Sequence, residues 1–301
     1  MGRVVVLAGG TGGAKLARGM LEVAGDDLTV IANTGDDIEV HGAYVSPDPD
    51  LCTFWLADRI DERGWGLADD TFAVMDGLRA LGADVWFQLG DRDLAIGIER
   101  ARRLADGARL TAAIEELGSA FGLRCRVLPM TDDPVRTWIR KDSRWIAFQE
   151  FMIRERGEGP IEDVQLRGAA EAQPTPEVLA ALACAGTIVV GPSNPVISIG
   201  PILALTGVRQ ALIDSPAPVV AVSPIVGGKV LKGPTAECLR WAGHEPTAAA
   251  IAECYAGLLD GLVADEAVSG LPVLRTDTLM ADAASRRRVA AETLTFAQSL
   301  A

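Results

Sequence analysis

The chain has 301 residues, 49% of them hydrophobic, and a formal net charge of −13 with no basic block. That is enough apolar material for one large α/β domain, and the acidity argues against nucleic acid or an anionic membrane as a partner. Five scattered cysteines without a C-x-x-C, and only two histidines (His41 and His244), argue against a disulfide frame and against zinc-type or His-rich metal sites.

Val4–Ala8 is an unbroken apolar run closed by glycines, which predicts a buried parallel strand. Gly9-Gly10-Thr11-Gly12-Gly13-Ala14-Lys15 follows, and a helix is expected from about Ala14 to Ala24. A glycine turn feeding a helix N-terminus offers free N–H groups to a phosphate, with Lys15 as an added cation. An ordinary strand-to-helix turn is the alternative. G-x-x-x-x-G-K-[ST] is not met, because Ala14 precedes Lys15 and Leu16 follows it, and G-x-G-x-x-G is not met, because position 15 is Lys.

The second strand, Leu28–Ala32, opens into Asn33-Thr34-Gly35-Asp36-Asp37, and a short strand near Ala43–Val45 leads to Ser46-Pro47-Asp48-Pro49-Asp50. Carboxylates near strand ends suit Mg²⁺ held by one or two acids plus substrate oxygens. A solvated acidic loop, or a ribose-binding role for Asp36, are the other readings. Helices are expected over Leu51–Asp61 and Thr71–Leu81, the latter capped by Asp69 or Asp70, then a strand over Trp86–Leu89 ending in Gly90-Asp91-Arg92-Asp93. Arg92 is either an anion contact or a surface ion-pair partner.

Residues 94–122 read as two helices parted at Gly107, with Leu94, Ile98 and Ala101 inward, and are expected to form a helical insertion. A strand at Cys125–Leu128, a strand pair over Val135–Phe151 and a lid or exposed turn at Arg154–Gly159 follow. A helix at Pro176–Ala185 precedes the buried strand Thr187–Val190 and the stiff polar loop Gly191-Pro192-Ser193-Asn194-Pro195, with Ser198 placed to cap a helix starting near Pro201. A serine-hydrolase elbow is not met there, since Pro195 stands where glycine is needed. Val219–Val222 is another buried strand, with Lys229 and Lys232 beyond it. Helices at Thr235–Trp241 and Pro246–Leu259, strands at Gly261–Val263 and Val273–Leu274, and a helix at Asp282–Leu300 complete the chain.

Alternating strands and helices imply a doubly wound, mostly parallel, Rossmann-like sheet in one domain over residues 1–301. Ligands of such sheets bind beyond the carboxyl ends of the strands. Four of these ends carry ligand-like loops, at 9–15, 33–39, 191–198 and 223–229, so a polar cleft is expected there. No apolar run reaches the roughly 18 residues of a membrane span, and the first residues enter a strand without a leader-like segment. A soluble cytoplasmic protein is expected.

These blocks, with Pro129-Met130-Thr131-Asp132-Asp133, Phe148-Gln149-Glu150-Phe151, Ser198-Ile199-Gly200-Pro201, Ser223-Pro224-Ile225 and Thr276-Asp277-Thr278-Leu279-Met280, resemble the CofD/FbiA family in order and over nearly the whole chain. The resemblance implies an enzyme of coenzyme F(420) biosynthesis. It would transfer a 2-phospho acid unit from a guanosine diphosphate (GDP) conjugate to the deazaflavin Fo, releasing GMP, with Mg²⁺ dependence and a homodimer. It places Fo on Asp50 and Gln88, the latter at a position often basic in relatives. The chemistry then assigns Mg²⁺ to Asp36, Asp37 or Asp48, the diphosphate to Gly10, Thr11, Gly12, Gly13 and Lys15, and nucleotide or phosphate contacts to Ser193, Asn194 and Ser198. Asp50 orients or deprotonates the Fo hydroxyl, and Arg92 offsets developing charge. The rival readings are a non-catalytic nucleotide-sugar-binding regulator of the YvcK type and an NAD-dependent dehydrogenase.

Overall fold

A computed structural model describes residues 2–301. The first half runs β1 (Val4–Ala8), α1 (Gly10–Ala24), β2 (Leu28–Ala32), β3 (Ile38–Val40), β4 (Ala43–Val45), α2 (Pro47–Leu56), α3 (Ala73–Ala80), α4 (Asp91–Ala105), α5 (Leu110–Ala120) and β5 (Arg126–Pro129). A small antiparallel sheet follows, built from β6 (Arg136–Lys141), β7 (Arg144–Ala147) and, after α6 (Phe148–Ile153), β8 (Asp163–Arg167). The remainder is α7 (Pro176–Ala183), β9 (Thr187–Val190), α8 (Ile199–Ala204), α9 (Val208–Ile213), β10 (Val219–Val222) and the short hairpin β11 (Ile225–Val226) and β12 (Lys229–Val230). It closes with α10 (Thr235–Trp241), α11 (Ala248–Cys254), β13 (Gly261–Ala264), β14 (Val273–Arg275) and α12 (Ala283–Gln298).

Seven strands form the central sheet in the order β14-β13-β10-β9-β1-β2-β5, and every pairing in it is parallel. Strands such as Val-Val-Val-Leu-Ala and Thr-Ile-Val-Val are buried throughout because helices cover both faces. Side-chain alternation divides β1 between two cores. Val5 and Leu7 pack with Val178, Ile202, Leu212 and Ile251 from α7, α8, α9 and α11. Val4 and Val6 pack with Leu16, Met20, Leu56, Ile114 and Leu294 from α1, α2, α5 and α12. Each such side chain contributes about 1.5–3 kcal/mol by leaving water.

The order places the site. From β1 the chain winds outward to β2 and β5 on one side, then returns to β9 and winds outward to β14 on the other. The strand order therefore reverses between β1 and β9, and the crevice at their carboxyl ends is the topological switch point.

Several local expectations need correction. Helix α1 begins at Gly10, so the glycines are its first turn rather than a loop before it. Asp48 and Asp50 stand in the first turn of α2, because Pro47 at the helix start favours helix immediately. Residues 86–89 form no strand; Phe87 and Leu89 instead join Met75, Leu94, Ala43 and Val45 in a satellite core under the β3–β4 hairpin. The strand pair expected over Val135–Phe151 stops at Ala147, and Phe148–Ile153 is helical. The cap of α3 is neither Asp69 nor Asp70: Asp91 accepts from the N–H groups of Ala73 and Val74 at 3.1 and 3.0 Å.

Helix α4 is rotated from its expected phase. It buries Leu94, Gly97 and Arg100, while Ile98 is exposed. A Cβ at Gly97 would lie 2.8 Å from the Ala43 Cβ, so this face is chosen for close approach to β4. The turn after α6 is tied to β6, since Lys141 Nζ donates to Glu155 and to the Glu158 carbonyl at 2.9 and 2.7 Å.

Candidate functional site

The first turn of α1 and the 191–198 loop meet at the switch point with almost no space between them. A Cβ at Gly12 would overlap the Pro192 carbonyl oxygen, and one at Gly13 would lie 2.7 Å from Ser193 Oγ. A Cβ at Gly9 would lie 2.6 Å from the Ser198 Cβ and 2.9 Å from Asp48 Oδ2. The Gly9 N–H donates to Ser193 Oγ at 3.3 Å, fastening the turn. Glycine is thus required by close backbone approach at 9, 12 and 13, and by φ +62° at Gly10. Ser198 occupies the position before α8 but makes no side-chain cap; it lies against Gly9 instead.

The N–H groups of Gly10, Thr11 and Gly12 have no acceptor within their own helix. One is already used: Gly10 donates to Asp48 Oδ1 at 2.6 Å. The other oxygen, Oδ2, accepts from Asn33 Nδ2 at 2.9 Å. Asn33 Oδ1 in turn accepts from the Gly35 N–H at 2.7 Å. Asn33 is fully buried and joins the ends of β1, β2 and α2, yet the sequence reading assigned it no role. Helices α1, α2 and α8 all begin at this point of the rim.

Asp36, Asp37 and Asp48 are all buried. Burial, reinforced by the neighbouring Asp48 charge, raises the pKa of Asp36 well above the usual carboxylate range. Burial likewise lifts Asp48 to about 6 and Asp37 to about 7. Asp36 Oδ1 is buried without a hydrogen-bond partner, whereas Asp37 accepts from Ser46 Oγ at 2.8 Å and the Tyr44 hydroxyl at 3.0 Å. Asn194 uses its side-chain oxygen on the N–H groups of Val196 and Ile197, leaving its Nδ2 buried and unpartnered. A cavity of about 250 Å³ opens beside Asp36, lined also by Arg136, Trp138 and Gln149.

Among the described residues, no three His, Cys, Asp or Glu side chains converge as ready-made metal ligands. Of the three expected carboxylates, Asp37 and Asp48 each accept one donor on either oxygen and keep further lone pairs, whereas Asp36 Oδ1 has no donor at all. The free oxygen of Asp36 beside the Asp48 carboxylate fits a hard cation that takes one or two protein oxygens and completes its shell with water and phosphate.

The remaining assigned residues are distributed unevenly. Asp50 accepts both guanidinium nitrogens of Arg100, one at 2.9 Å, and Arg100 also donates to the Tyr44 carbonyl at 3.1 Å. Arg100 is only 2% exposed; the sequence reading missed it because it sought apolar residues on the inner face of α4. Lys15 Nζ donates to the Met280 carbonyl at 3.3 Å, towards α12. Gln88 is exposed and accepts from Arg79 at 3.1 Å. Arg92 stands eight residues before Arg100, roughly 12 Å along the helix. It donates to the Asp69 carbonyl and lines a separate cavity of about 550 Å³ with Ala57, Arg59 and Phe121, at the opposite end of α2 from Asp48.

The raised carboxyls give a pH dependence of determinate sign. Asp48 and Asp37 bind protons more tightly folded than unfolded, so stability falls as pH rises from roughly 4 to 7. The loss from Asp48 is on the order of 3 kcal/mol. Urea denaturation in chelator-treated buffer is expected to show a lower midpoint at pH 8 than at pH 5, with MgCl₂ recovering part of it at the higher pH. A midpoint that climbs over this interval would contradict the charge assignment.

Comparison with known proteins gives consistent results. The family model described as 2-phospho-L-lactate transferase CofD matches residues 4–291. The chain is 42% identical to a phosphoenolpyruvate transferase of Streptomyces coelicolor, over 99% of both chains. It is 39% identical to a 2-phospho-L-lactate transferase of Methanosarcina mazei, over 95% of this chain and 98% of that one. A crystal structure of a UPF0052-family protein from Bacillus halodurans superposes with a TM-score of 0.63 at 16% identity, over 98% of this chain and 99% of that one, a likeness of fold alone. No helix among the described residues is long and apolar enough to cross a membrane.

Proposed function

The chain belongs to the CofD family of transferases, and from that premise we propose that it moves a 2-phospho acid unit from a GDP conjugate to the terminal ribityl hydroxyl of Fo, releasing GMP, in coenzyme F(420) biosynthesis. The unit is phospholactyl, phosphoenolpyruvyl or phosphoglyceryl. The observation that carries this reading is the meeting of the α1 N-terminus, the 191–198 loop and buried Asp36 and Asp48 at one switch point.

The reaction is a displacement at phosphorus. The acceptor hydroxyl oxygen bonds to the β-phosphorus, the bridging oxygen leaves on GMP with the electron pair, and the hydroxyl proton is released. Positioning and charge neutralisation supply most of the acceleration. The N–H groups of Thr11 and Gly12 hold phosphate oxygens at the helix N-terminus. Asn194 turns its free amide towards the nucleotide or its phosphates. Asp50, held in orientation by Arg100, keeps lone pairs with which to orient the acceptor hydroxyl. Asp36 and Asp48 hold Mg²⁺, which supplies charge neutralisation on the phosphate oxygens.

The direct test is incubation with Fo and each GDP conjugate, following GMP release and product mass. The conjugate that gives product also identifies the acid, which the names of the relatives leave divided between two. Asp48→Asn is expected to lower turnover about a hundredfold or more, as for loss of a preorganised charged group. Wild-type turnover in that variant would remove Asp48 from the site, and no product from any conjugate would overturn the reading.

A further inference from the structure

On the β14 side of the same rim, three cations gather outside any salt bridge among the described residues, and Asp282, a carboxylate within Coulombic range of Arg286, is committed to capping α12. Lys15 Nζ lies 5.8 Å from the centroid of the Trp55 ring, and the Arg286 guanidinium carbon lies 5.1 Å from it. Lys232, just beyond β12, has its Nζ 3.6 Å from where a Cβ would stand at Gly64, in the loop that follows α2, and its charge is felt at Lys15. Burial and the charges of Lys232 and Arg286 together lower the pKa of Lys15, which places all three within Coulombic reach. Among the described residues none of the three forms a salt bridge, in a chain of net charge −13 whose other exposed arginines are commonly paired.

Arg286 is fixed from its backbone. Helix α12 approaches α1 so closely that a Cβ at Gly19 would overlap the Arg286 carbonyl oxygen. Its Nε is nevertheless buried with no acceptor. Asp282, one turn earlier, caps α12 through the Ser285 N–H at 2.8 Å instead of pairing with it. Like charges brought together in a partly buried place raise one another's free energy unless an anion joins them. The elements concerned are the early turns of α1, the segment after β10 and the segment after β14, all at the carboxyl edge of the sheet.

We infer that Lys15, Lys232 and Arg286 form a clamp for the nucleotide-side phosphate of the donor. This rests on the transfer reaction proposed above. When the acceptor oxygen bonds to the β-phosphorus and the bridging oxygen departs with its electron pair, the additional negative charge appears on the leaving GMP. The clamp stands against that charge, while Asp36 and Asp48 serve the phosphorus being attacked. Lys232 and Arg286 are thereby nucleotide-binding residues, which neither the glycine motif nor the 191–198 loop reveals.

The test is calorimetric titration of the full chain with GDP and with guanosine, at low and high KCl. Lys232→Gln and Arg286→Gln are each expected to weaken GDP binding about tenfold or more, as for loss of a charge-assisted contact. They should also flatten its salt dependence and leave guanosine binding unchanged. Arg286→Lys should restore most of the affinity. GDP affinity and salt dependence equal to wild type in both glutamine variants would overturn the clamp while leaving the proposed function standing. Weakened binding with an unchanged salt dependence would assign the residues to packing and overturn it too. Failure of the wild-type chain to bind GDP would sink the transfer reading itself.

Discussion

Replacing Asp50 by alanine is expected to cost the folded chain about 3 kcal/mol, apart from any effect on turnover. Arg100 is 2% exposed, and two of its guanidinium nitrogens end on Asp50. Its Nε has no partner, so the pair has no reserve hydrogen bond to fall back on. Without Asp50 the guanidinium would keep only the Tyr44 carbonyl as acceptor. The vacated place opens on solvent, since the Asp50 side chain is 14% exposed, so water offsets part of the loss. Urea denaturation measures the loss. The double variant Asp50→Ala/Arg100→Met should recover much of it, because the stranded charge is then gone. Equal stability of wild type and Asp50→Ala would mean that the pair does not hold α2 to α4. Activity measured on Asp50→Ala therefore needs the double variant as its reference.

Gly12→Ala is expected to lower transfer about a hundredfold while also destabilising the fold by about 1–3 kcal/mol, the usual range for overpacking. The added methyl would overlap the Pro192 carbonyl oxygen and stand 3.2 Å from its carbon. Neither side can yield cheaply: Gly12 is in the first turn of α1, and the Gly191 N–H beside Pro192 is bonded to the Leu7 carbonyl at 2.9 Å. The two loops must part by about an ångström, and misplacement on that scale is worth roughly a hundredfold in rate. Gly10→Ala is the informative control, since a Cβ there meets nothing within 4 Å and only the positive φ opposes it. Its smaller effect would separate backbone strain from steric collision. Transfer by Gly12→Ala at the wild-type rate would show that the seam is not part of the phosphate site.

The buried strands were legible because each is a short, almost wholly apolar run with abrupt ends. Val4–Ala8, Leu28–Ala32 and Val219–Val222 are short apolar runs closed by polar or glycine-bearing loops, and each appears as expected. Their parallel pairing followed from the helices between them. The 191–198 loop stood out for the same reason, as a stiff polar segment after a buried strand, and it packs against the α1 glycines. What escaped was contact specified by a partner distant in sequence. Arg100 reads as one charge among many on a surface helix until Asp50 is placed opposite it. Asn33 is one amide in a loop until Asp48 and Gly35 use both ends of it. Trp86–Leu89 has strand-like residues, but the sheet already ends at β5, so these side chains fill a satellite core without pairing. Asp37 has the composition of a metal ligand, and only the structure shows that Tyr44 on β4 and Ser46 before α2 each donate to one of its oxygens.

The shared origin of α1, α2 and α8 at one corner bears on how so acidic a molecule acquires a polyanion. At low ionic strength the net charge of −13 repels any phosphate ester, and at about 0.1 M salt that repulsion is screened beyond about 10 Å. Close in, the N–H groups of Thr11 and Gly12 at the start of α1 offer a phosphate local donors that the net charge does not remove. Capture is thus a short-range event behind a long-range barrier. A donor would be drawn in only once its phosphates had come within reach of the corner.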